Sequence, residues 1–244
     1  MYNFEKYDKI KFQIIGENAL TSNIGDQFLG IWEMLENISK INIVRIGDCM
    51  TYTSLKKIGE KILDSFHGMI EEFNVCHHEA PVVDTFDALF LTMVLHEEFG
   101  GHVLGITDSD LTTRDEDEFY NTIFGGKNAM NYVAVVSTKR LSPSEVVTEA
   151  DYDLVVNRTV KVSLHEVGHN FGLTDHSSYK QASDGRLCPM SRGEFNKFGY
   201  WGYVRAIIDG RGMNFCDECT HFLNQFKPFQ HRLSGLMKDK FYLH

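Results

Sequence analysis

Residues 165–173 read His-Glu-Val-Gly-His-Asn-Phe-Gly-Leu. Two histidines four residues apart share one face of a helix, so the imidazoles of His165 and His169 can bind a single metal ion. Glu166 is rotated by roughly 100° from His165, because a helix has ~3.6 residues per turn. It therefore borders such an ion without being forced to bind it, which is where a general base for metal-bound water is needed.

The flanking sequence predicts a helix around this motif. Asp151 or Asp153 can cap a helix that runs to Phe171. Gly172 follows at the place where a left-handed C-terminal cap is expected. The chain can then return to the metal, and Asp175 and His176 are candidate third ligands. The pattern predicts a catalytic zinc, which would lower the pKa of its bound water to ~7 and polarise a carbonyl group.

The rest of the chain alternates between strand-like and helix-like stretches. The predicted strands are Lys9–Ile15, Ile41–Ile46, His102–Ile106, Phe119–Phe124 and Tyr132–Val136. The predicted helices outside the motif are Gln27–Ile38, Ser54–Phe73, Tyr203–Ile208 and His221–Leu236, with Ser54 as an N-cap. This order predicts a mixed, mostly parallel sheet with covering helices.

Composition limits the classes of function. The 244 residues carry a formal net charge of −10, so binding to nucleic acid or to an anionic membrane is not expected. The chain shows no secretion signal and no apolar run near the ~20 residues of a membrane span. Five cysteines without a signal argue against a disulfide framework. We expect a cytoplasmic protein that is a monomer by default.

Several motifs together resemble one family. Beside the His-Glu helix, the chain has Cys188-Pro189-Met190 and a C-x-x-C pair at Cys216 and Cys219. The upstream stretches 104–111, 123–126 and 133–141 match as well. Over about residues 9 to 220, the sequence resembles the archaemetzincins, a family of metzincin zinc proteases. The C-x-M and C-x-x-C elements are what single out this family.

The resemblance implies an α+β fold of the zincin type, with an active-site helix and a methionine turn. Residues 1–244 would form one catalytic domain, with an N-terminal subdomain of about 1–172 and a C-terminal subdomain of about 173–244. Met190 would pack beneath the metal ligands. A second, structural zinc would be bound near the cysteines. By analogy with the family, the segment Tyr120–Gly126 would form the cleft-edge strand that pairs with an extended peptide.

The chain departs from the family pattern at the third ligand, where a histidine and then a cysteine are expected. Asp175 and His176 stand there instead. In one register, Asp175 binds the catalytic zinc and His176 joins Cys188, Cys216 and Cys219 at the structural zinc. In the other register, His176 binds the catalytic ion. The first is favoured because it leaves the structural zinc four ligands, and Cys₃His is an ordinary structural set.

The spacing of the cysteines also departs from the family. Eleven residues separate His176 from Cys188, so the segment Ser177–Leu187 is predicted to be an inserted loop beside the cleft. Tyr200 and Tyr203 follow the methionine turn, where a tyrosine could steady an oxyanion, although aromatic packing is the simpler role.

A second set of acidic and histidine residues superficially echoes the motif. His96 and His102, with Glu97 and Glu98 between them, are six residues apart and do not share a helix face. They are predicted to be surface residues.

The predicted function is therefore a zinc-dependent metallopeptidase that acts on a peptide or protein substrate, with Glu166 as the general base. Two alternatives stay open. One is a non-catalytic zinc protein that binds a partner or a peptide, although pure binding has no need for Glu166. The other is a zinc hydrolase that acts on a non-peptide amide.

Overall fold

The fold is built on a five-stranded sheet, seen in a computed structural model that describes residues 38–113, 122–143, 148–193 and 195–225. The described strands are β1 (Lys40–Ile46), β2 (Glu72–His78), β3 (Thr85–Asp87), β4 (His102–Thr107), β5 (Asp110–Thr112), β6 (Thr122–Ile123), β7 (Gly125–Asn128) and β8 (Val133–Ser137). The main sheet has the order β2-β1-β4-β8-β7. Its pairs are parallel except for β7, which runs antiparallel to β8 at the edge. The predicted mixed, mostly parallel sheet is confirmed.

Helices cover both faces of the main sheet. The described helices are α1 (Tyr52–Ser65), α2 (Ala88–Phe99), α3 (Glu149–Asn170), α4 (Phe195–Tyr203, interrupted at Gly199), a π-helix (Val204–Ile208) and α5 (Asp217–Asn224), of which α1, α2 and α3 pack on the sheet. The strands β3, β5 and β6 form a separate small sheet. No helix in the described ranges combines the length and the apolar character that a membrane crossing requires.

The sheet separates two apolar clusters. The larger one joins Ile41, Ile43, Leu104 and Ile106 of the sheet to α1 and α3. The smaller one joins Val44, Val103, Val133 and Val135 to α2. Every residue of β4 and β8 is buried, as is usual for central strands covered on both faces. The helix that bears the His-Glu motif is thus held against a rigid sheet.

The chain divides into two units, Met1–Glu36 and Asn37–His244, and the described residues belong to the second. The strand predicted at Lys9–Ile15 and all but the last residue of the helix predicted at Gln27–Ile38 lie outside the described residues. The assignment of residues 1–244 to one catalytic domain with two subdomains stays a prediction.

The helix predicted at Ser54–Phe73 is too long. Helix α1 ends at Ser65, and its N-cap is Thr51, whose side chain accepts a hydrogen bond from the Ser54 backbone N–H. The apolar stripe continues past the end because Phe66, Met69 and Ile70 remain buried without being helical. Gly68, with a φ of 77°, turns the chain there so that residues 72–78 can pair with β1.

The surface prediction for the second set of acidic and histidine residues holds for Glu97 and Glu98, which are exposed, but is wrong for His102. His102 opens the central strand β4 and is completely buried. Helix spacing does not apply to His102, because the residue lies on a strand and is buried with the sheet. The last predicted helix also begins earlier, at Asp217, and residues 226–244 lie outside the described part.

Candidate active site

Helix α3 begins with a capping box. The Thr148 hydroxyl accepts a hydrogen bond from the Asp151 backbone N–H, and the Asp151 carboxylate accepts one from the Thr148 backbone N–H. The sequence prediction placed the cap at Asp151 or Asp153, whereas Asp151 is the third helical residue and closes the box.

The C-terminal end of α3 reverses the chain. Gly172 has a φ of 86°, the left-handed conformation that glycine adopts without strain. The Leu173 backbone N–H donates to the Gly168 carbonyl and closes the turn. The reversal brings Asp175 back to the two histidines of the helix.

Three potential ligand atoms meet beside α3. Nε2 of His165 lies 3.3 Å from Nε2 of His169. Oδ1 of Asp175 lies 3.4 Å from each of these nitrogens. This oxygen is buried and has no hydrogen-bond donor among the described residues. A buried acceptor without a donor is rare in proteins and fits an oxygen that faces a cation.

Backbone carbonyl groups orient both imidazole rings. Nδ1 of His165 lies 3.0 Å from the Pro189 carbonyl oxygen, and Nδ1 of His169 lies 2.8 Å from that of Leu173. Since a carbonyl can only accept, each Nδ1 carries the proton. Both Nε2 atoms therefore present lone pairs to the centre of the cluster, which is the tautomer that a metal ligand requires.

Burial and neighbouring charges shift the pKa values of His165 and Asp175 in directions that favour the binding of a cation. Burial lowers the pKa of His165, and Arg211 and His169 lower it further. Burial would raise the pKa of Asp175, but the neighbouring His169 and His165 hold it below its ordinary value. The cluster thus combines an imidazole of His165 that favours its neutral form with an Asp175 carboxylate that favours its ionised form.

The spacing of the three atoms fits tetrahedral zinc. Bonds of ~2.0–2.1 Å in a tetrahedron place neighbouring ligand atoms ~3.3–3.4 Å apart. The three separations of the cluster, 3.3 and twice 3.4 Å, have this value. Two imidazoles and one carboxylate are also a donor set of catalytic zinc sites.

Glu166 lies next to the cluster and against the sheet edge. It is 8% exposed, and burial raises the pKa of its carboxyl group. A Cβ added to Gly125 of β7 would lie 2.8 Å from Glu166 Oε1. The absence of a side chain at Gly125 thus gives the carboxylate its place between α3 and β7.

The turn formed by Cys188, Pro189, Met190 and Ser191 underlies the cluster. Met190 is completely buried, and a Cβ added to Gly168 would lie 2.7 Å from its Sδ atom. The Met190 carbonyl also accepts a hydrogen bond from the His176 backbone N–H. Met190 therefore packs against α3 between the two histidines of the motif.

A second cluster consists of His176, Cys188, Cys216 and Cys219, all buried. Sγ of Cys216 and Sγ of Cys219 each lie 3.2 Å from His176 Nε2. Sγ of Cys188 lies 3.9 Å from that of Cys219. The structure thus brings Asp175 to the histidine pair and His176 to the cysteines.

This cluster has the composition of a structural zinc site. Zinc–sulfur bonds of ~2.3 Å in a tetrahedron place two sulfur atoms ~3.8 Å apart, close to the observed separation of Cys188 and Cys219. The Cys219 thiol donates to Cys188 Sγ, which lowers the pKa of Cys188 to about 5. Cys188 is thus readily ionised, and the thiolate is the form that binds a metal.

The segment predicted as an inserted loop forms a hairpin. Gln181 and Leu187 form an antiparallel bridge, and Leu187 also bridges to Arg211. Asn214 donates to the Asp184 carboxylate, and Lys180 forms an ion pair with Glu218. These contacts place the hairpin beside the second cluster. Its effect on access to the cleft stays a prediction.

Two charged residues near the first cluster belong to no sequence motif. Arg211 is 3% exposed and donates to the Ser191 carbonyl from Nε at 3.0 Å and Nη2 at 2.8 Å. Arg192 Nη1 lies 3.5 Å from Asp175 Oδ2. Sequence reasoning missed both, because single cations without periodic spacing look like ordinary surface residues.

Tyr200 and Tyr203, which follow the turn in sequence, both have other partners in the structure. The Tyr203 hydroxyl donates to the Arg192 carbonyl at 2.7 Å. The Tyr200 ring lies under the Arg140 guanidinium, at 4.2 Å from the ring centre, and burial raises the Tyr200 pKa to about 12. Both rings pack on Phe124, in agreement with the simpler packing role.

Comparison with known proteins points to one family. The model of Peptidase family M54 matches residues 5–183. The archaemetzincin of Methanopyrus kandleri is 31% identical over 123 residues, which is 50% of this chain and 55% of that protein. The archaemetzincin of Thermococcus kodakarensis is 38% identical over 71 residues, which is 29% of this chain and 36% of that protein. The matches thus span about half and about a third of these relatives.

The fold agrees with the same family. The crystal structure of the Methanopyrus kandleri archaemetzincin matches with a TM-score of 0.58 and 23% identity, over 78% of this chain and 95% of that chain. The predicted zincin-type fold is thereby confirmed. Since the family model covers most of the sequence, this chain belongs to Peptidase family M54.

Proposed function

We propose that this chain is a zinc-dependent metallopeptidase that hydrolyses peptide bonds. The supporting observation is the triangle of His165 Nε2, His169 Nε2 and Asp175 Oδ1, with sides of 3.3 to 3.4 Å and Glu166 beside it. Membership of a peptidase family supports the same proposal and implies a peptide or protein as the substrate.

The ligand roles follow from the available lone pairs. His165 and His169 would bind zinc through Nε2, and Asp175 through Oδ1, which has no other partner among the described residues. Zinc in such a site supplies Lewis acidity toward a carbonyl oxygen and makes water a stronger acid. Asp175 brings a negative charge where the family pattern has a neutral histidine, so this site is less electrophilic than a three-histidine site.

Glu166 would act as the general base. Its carboxylate accepts a proton from the attacking water at Oε1 or Oε2 and passes that proton to the leaving amine. Burial raises the pKa of its carboxyl group, which suits a group that must both take and return a proton. Its contact with Gly125 places it between α3 and the edge strand.

The edge strand β7 would bind the substrate in an extended form. Within the described residues, β7 pairs only with β8, and its other edge would be available to a peptide backbone. This strand spans Gly125–Asn128, a few residues later than the predicted Tyr120–Gly126. A peptide paired with β7 would pass next to Glu166.

The second cluster would bind a structural zinc through His176, Cys188, Cys216 and Cys219. It includes Cys188 of the turn that underlies the first cluster, and all four of its residues are buried. A closed site of four protein ligands leaves no position for a substrate and serves stability.

A substitution of Glu166 tests the proposal. The zinc-loaded wild-type protein should cleave members of a broad peptide library, and a chelator should stop this cleavage. Glu166→Gln should reduce kcat by at least about a hundredfold, with zinc content unchanged. Glu97→Gln, at an exposed position of α2, is the matched control and should keep full activity. A zinc-loaded wild-type protein that cleaves nothing would support the non-catalytic alternative.

A further inference from the structure

Lys127 is the charged residue of the edge strand β7, and it lies on the face of that strand that borders the cluster of His165, His169 and Asp175. Alternate residues of a strand face the same side of a sheet. Gly125 faces Glu166, because a Cβ built there would lie 2.7 Å from Glu166 Cγ. Lys127 is two residues further along β7, so its side chain projects from the same face.

The Lys127 ammonium has no hydrogen-bond or ion-pair partner among the described residues, although two carboxylates attract it. Lys127 is exposed to solvent, and desolvation by its surroundings lowers the pKa of the ammonium, while the charges of Glu166 and Asp175 oppose that shift and Arg192 adds to it. These three groups surround the cleft, which places the ammonium at its rim. A lysine that is partly desolvated but unpaired is available to an anion from outside.

Arg192 borders the same cleft, on the side of Asp175. It follows the turn of Met190 and Ser191, and its carbonyl is held by the Tyr203 hydroxyl. Its side chain is 64% exposed, and its only described ion pair is the long contact of 3.5 Å with Asp175. The guanidinium is thus positioned by its backbone but is not saturated with acceptors.

The local charge is opposite to that of the whole protein. The chain carries a formal charge of −10. At the cleft, Lys127 and Arg192 balance Glu166 and Asp175, and the buried Arg211 adds a further positive charge. A bound divalent ion would make the cleft clearly cationic. A positive cleft in an acidic protein attracts and selects anionic ligands.

We propose that Lys127 and Arg192 form a subsite for a substrate carboxylate beside the scissile bond. This inference rests on the proposed peptidase function and specifies its substrate class as peptides with an acidic group near the cleavage position. The carboxylate is either the side chain of Asp or Glu or the free C-terminus of the peptide. Both present the same planar group, which a guanidinium and an ammonium bind well.

Binding to a protein that does not turn over tests the subsite. The probes are fluorescein-labelled nine-residue peptides in which Glu or Gln is placed at each position in turn, each with a free or an amidated C-terminus. Their anisotropy is measured with zinc-loaded Glu166→Gln protein. We expect at least one Glu peptide, or the free-acid peptides as a group, to bind roughly five- to tenfold more tightly than the matched neutral peptide.

The two sources of the carboxylate give different patterns. An acidic side chain gives tighter binding at one position of the Glu scan, whatever the C-terminus. A terminal carboxylate gives tighter binding of all free acids, and amidation removes it. In either case, the preference should weaken as ionic strength rises, since part of the subsite is exposed.

Charge reversal separates a direct contact from a structural role. Adding Lys127→Glu or Arg192→Glu should abolish the acidic preference, and Lys127→Glu should favour a Lys-substituted peptide instead. Lys56→Glu, on the exposed face of α1, changes the net charge equally and should leave the preference intact. Equal binding of acidic and neutral peptides, or a preference that survives both reversals, would overturn the subsite. An acidic preference in binding without any cleavage by the wild type would leave the subsite standing and refute the peptidase proposal.

Discussion

Met190 packs closely against Gly168: its Sδ atom lies 2.7 Å from the position that a Cβ of residue 168 would occupy. The thioether fills the space between the two histidine turns of α3. Met190 can therefore occupy this space only because residue 168 is a glycine.

Gly168→Ala should destabilise the protein despite the higher helix propensity of alanine. The added methyl group must displace Met190, which is completely buried, and such overpacking typically costs about 1–3 kcal/mol. Urea unfolding measures the change. In a Met190→Ala background the same substitution should cost far less, and equal costs in both backgrounds would show that the contact is unimportant.

Asp175→Ala should remove zinc from the first cluster and leave the second one loaded. The two imidazoles that remain are too few for a stable site, whereas the cysteine cluster keeps all its ligands. Zinc per chain, measured by mass spectrometry of the purified protein, should fall by about one ion relative to the wild type. Asp175→His should restore it. Full zinc content in the alanine variant would refute the assignment of Asp175.

Cys219→Ser should release the ion of the second cluster and destabilise the fold by several kcal/mol, since structural zinc contributes directly to folding. Cobalt substitution provides the measurement, because thiolate ligation produces intense near-ultraviolet charge-transfer bands that this variant should lose. Cys76→Ser, a thiol outside both clusters, is the control. A wild-type protein without thiolate bands would show that the cysteines bind no metal.

His102 should make stability depend on pH. Burial lowers its pKa from 6.5 to about 4, so the folded protein keeps it neutral while the unfolded chain binds a proton. Its contribution to stability is therefore complete above about pH 6.5 and is lost as the pH falls toward 4. A shift of this size corresponds to about 3 kcal/mol.

The comparison of wild type with His102→Gln isolates this effect. Nδ1 of His102 donates to the Ile38 carbonyl, and Nε2 accepts from Asn170, so glutamine keeps one polar contact without a titratable group. The difference in unfolding free energy between the two proteins should shrink between pH 7 and pH 4. A constant difference over that range would mean that His102 does not titrate with folding.

The sequence predicted which candidate ligands lie together better than it predicted their surroundings. Helical periodicity is enough to bring His165 and His169 together, and Gly172 marks where the chain reverses. Sequence also suggested the register in which Asp175 and His176 separate, because a count of ligands favoured it. These features depend on local geometry, which a motif encodes.

The parts that escaped prediction depend on tertiary placement. Lys127 and Arg192 lie 65 positions apart in the sequence, and nothing local marks them as neighbours of one cleft. Arg211 is a buried cation whose only signal is its contact with Ser191 in the folded protein. Helix α1 was extended too far because buried residues past its end mimic its apolar stripe.

The turn of residues 188–191 contacts ligand residues of both clusters. Pro189 orients His165, Met190 holds the backbone of His176, and Cys188 itself belongs to the cysteine set. Filling either centre therefore organises part of the other, so the two ions should bind with positive cooperativity. Thermodynamic linkage makes this effect reciprocal. If the first ion raises the affinity for the second by some factor, the second raises the affinity for the first by the same factor. Partial demetallation of the wild-type protein should thus yield fewer half-loaded molecules than two independent sites would give.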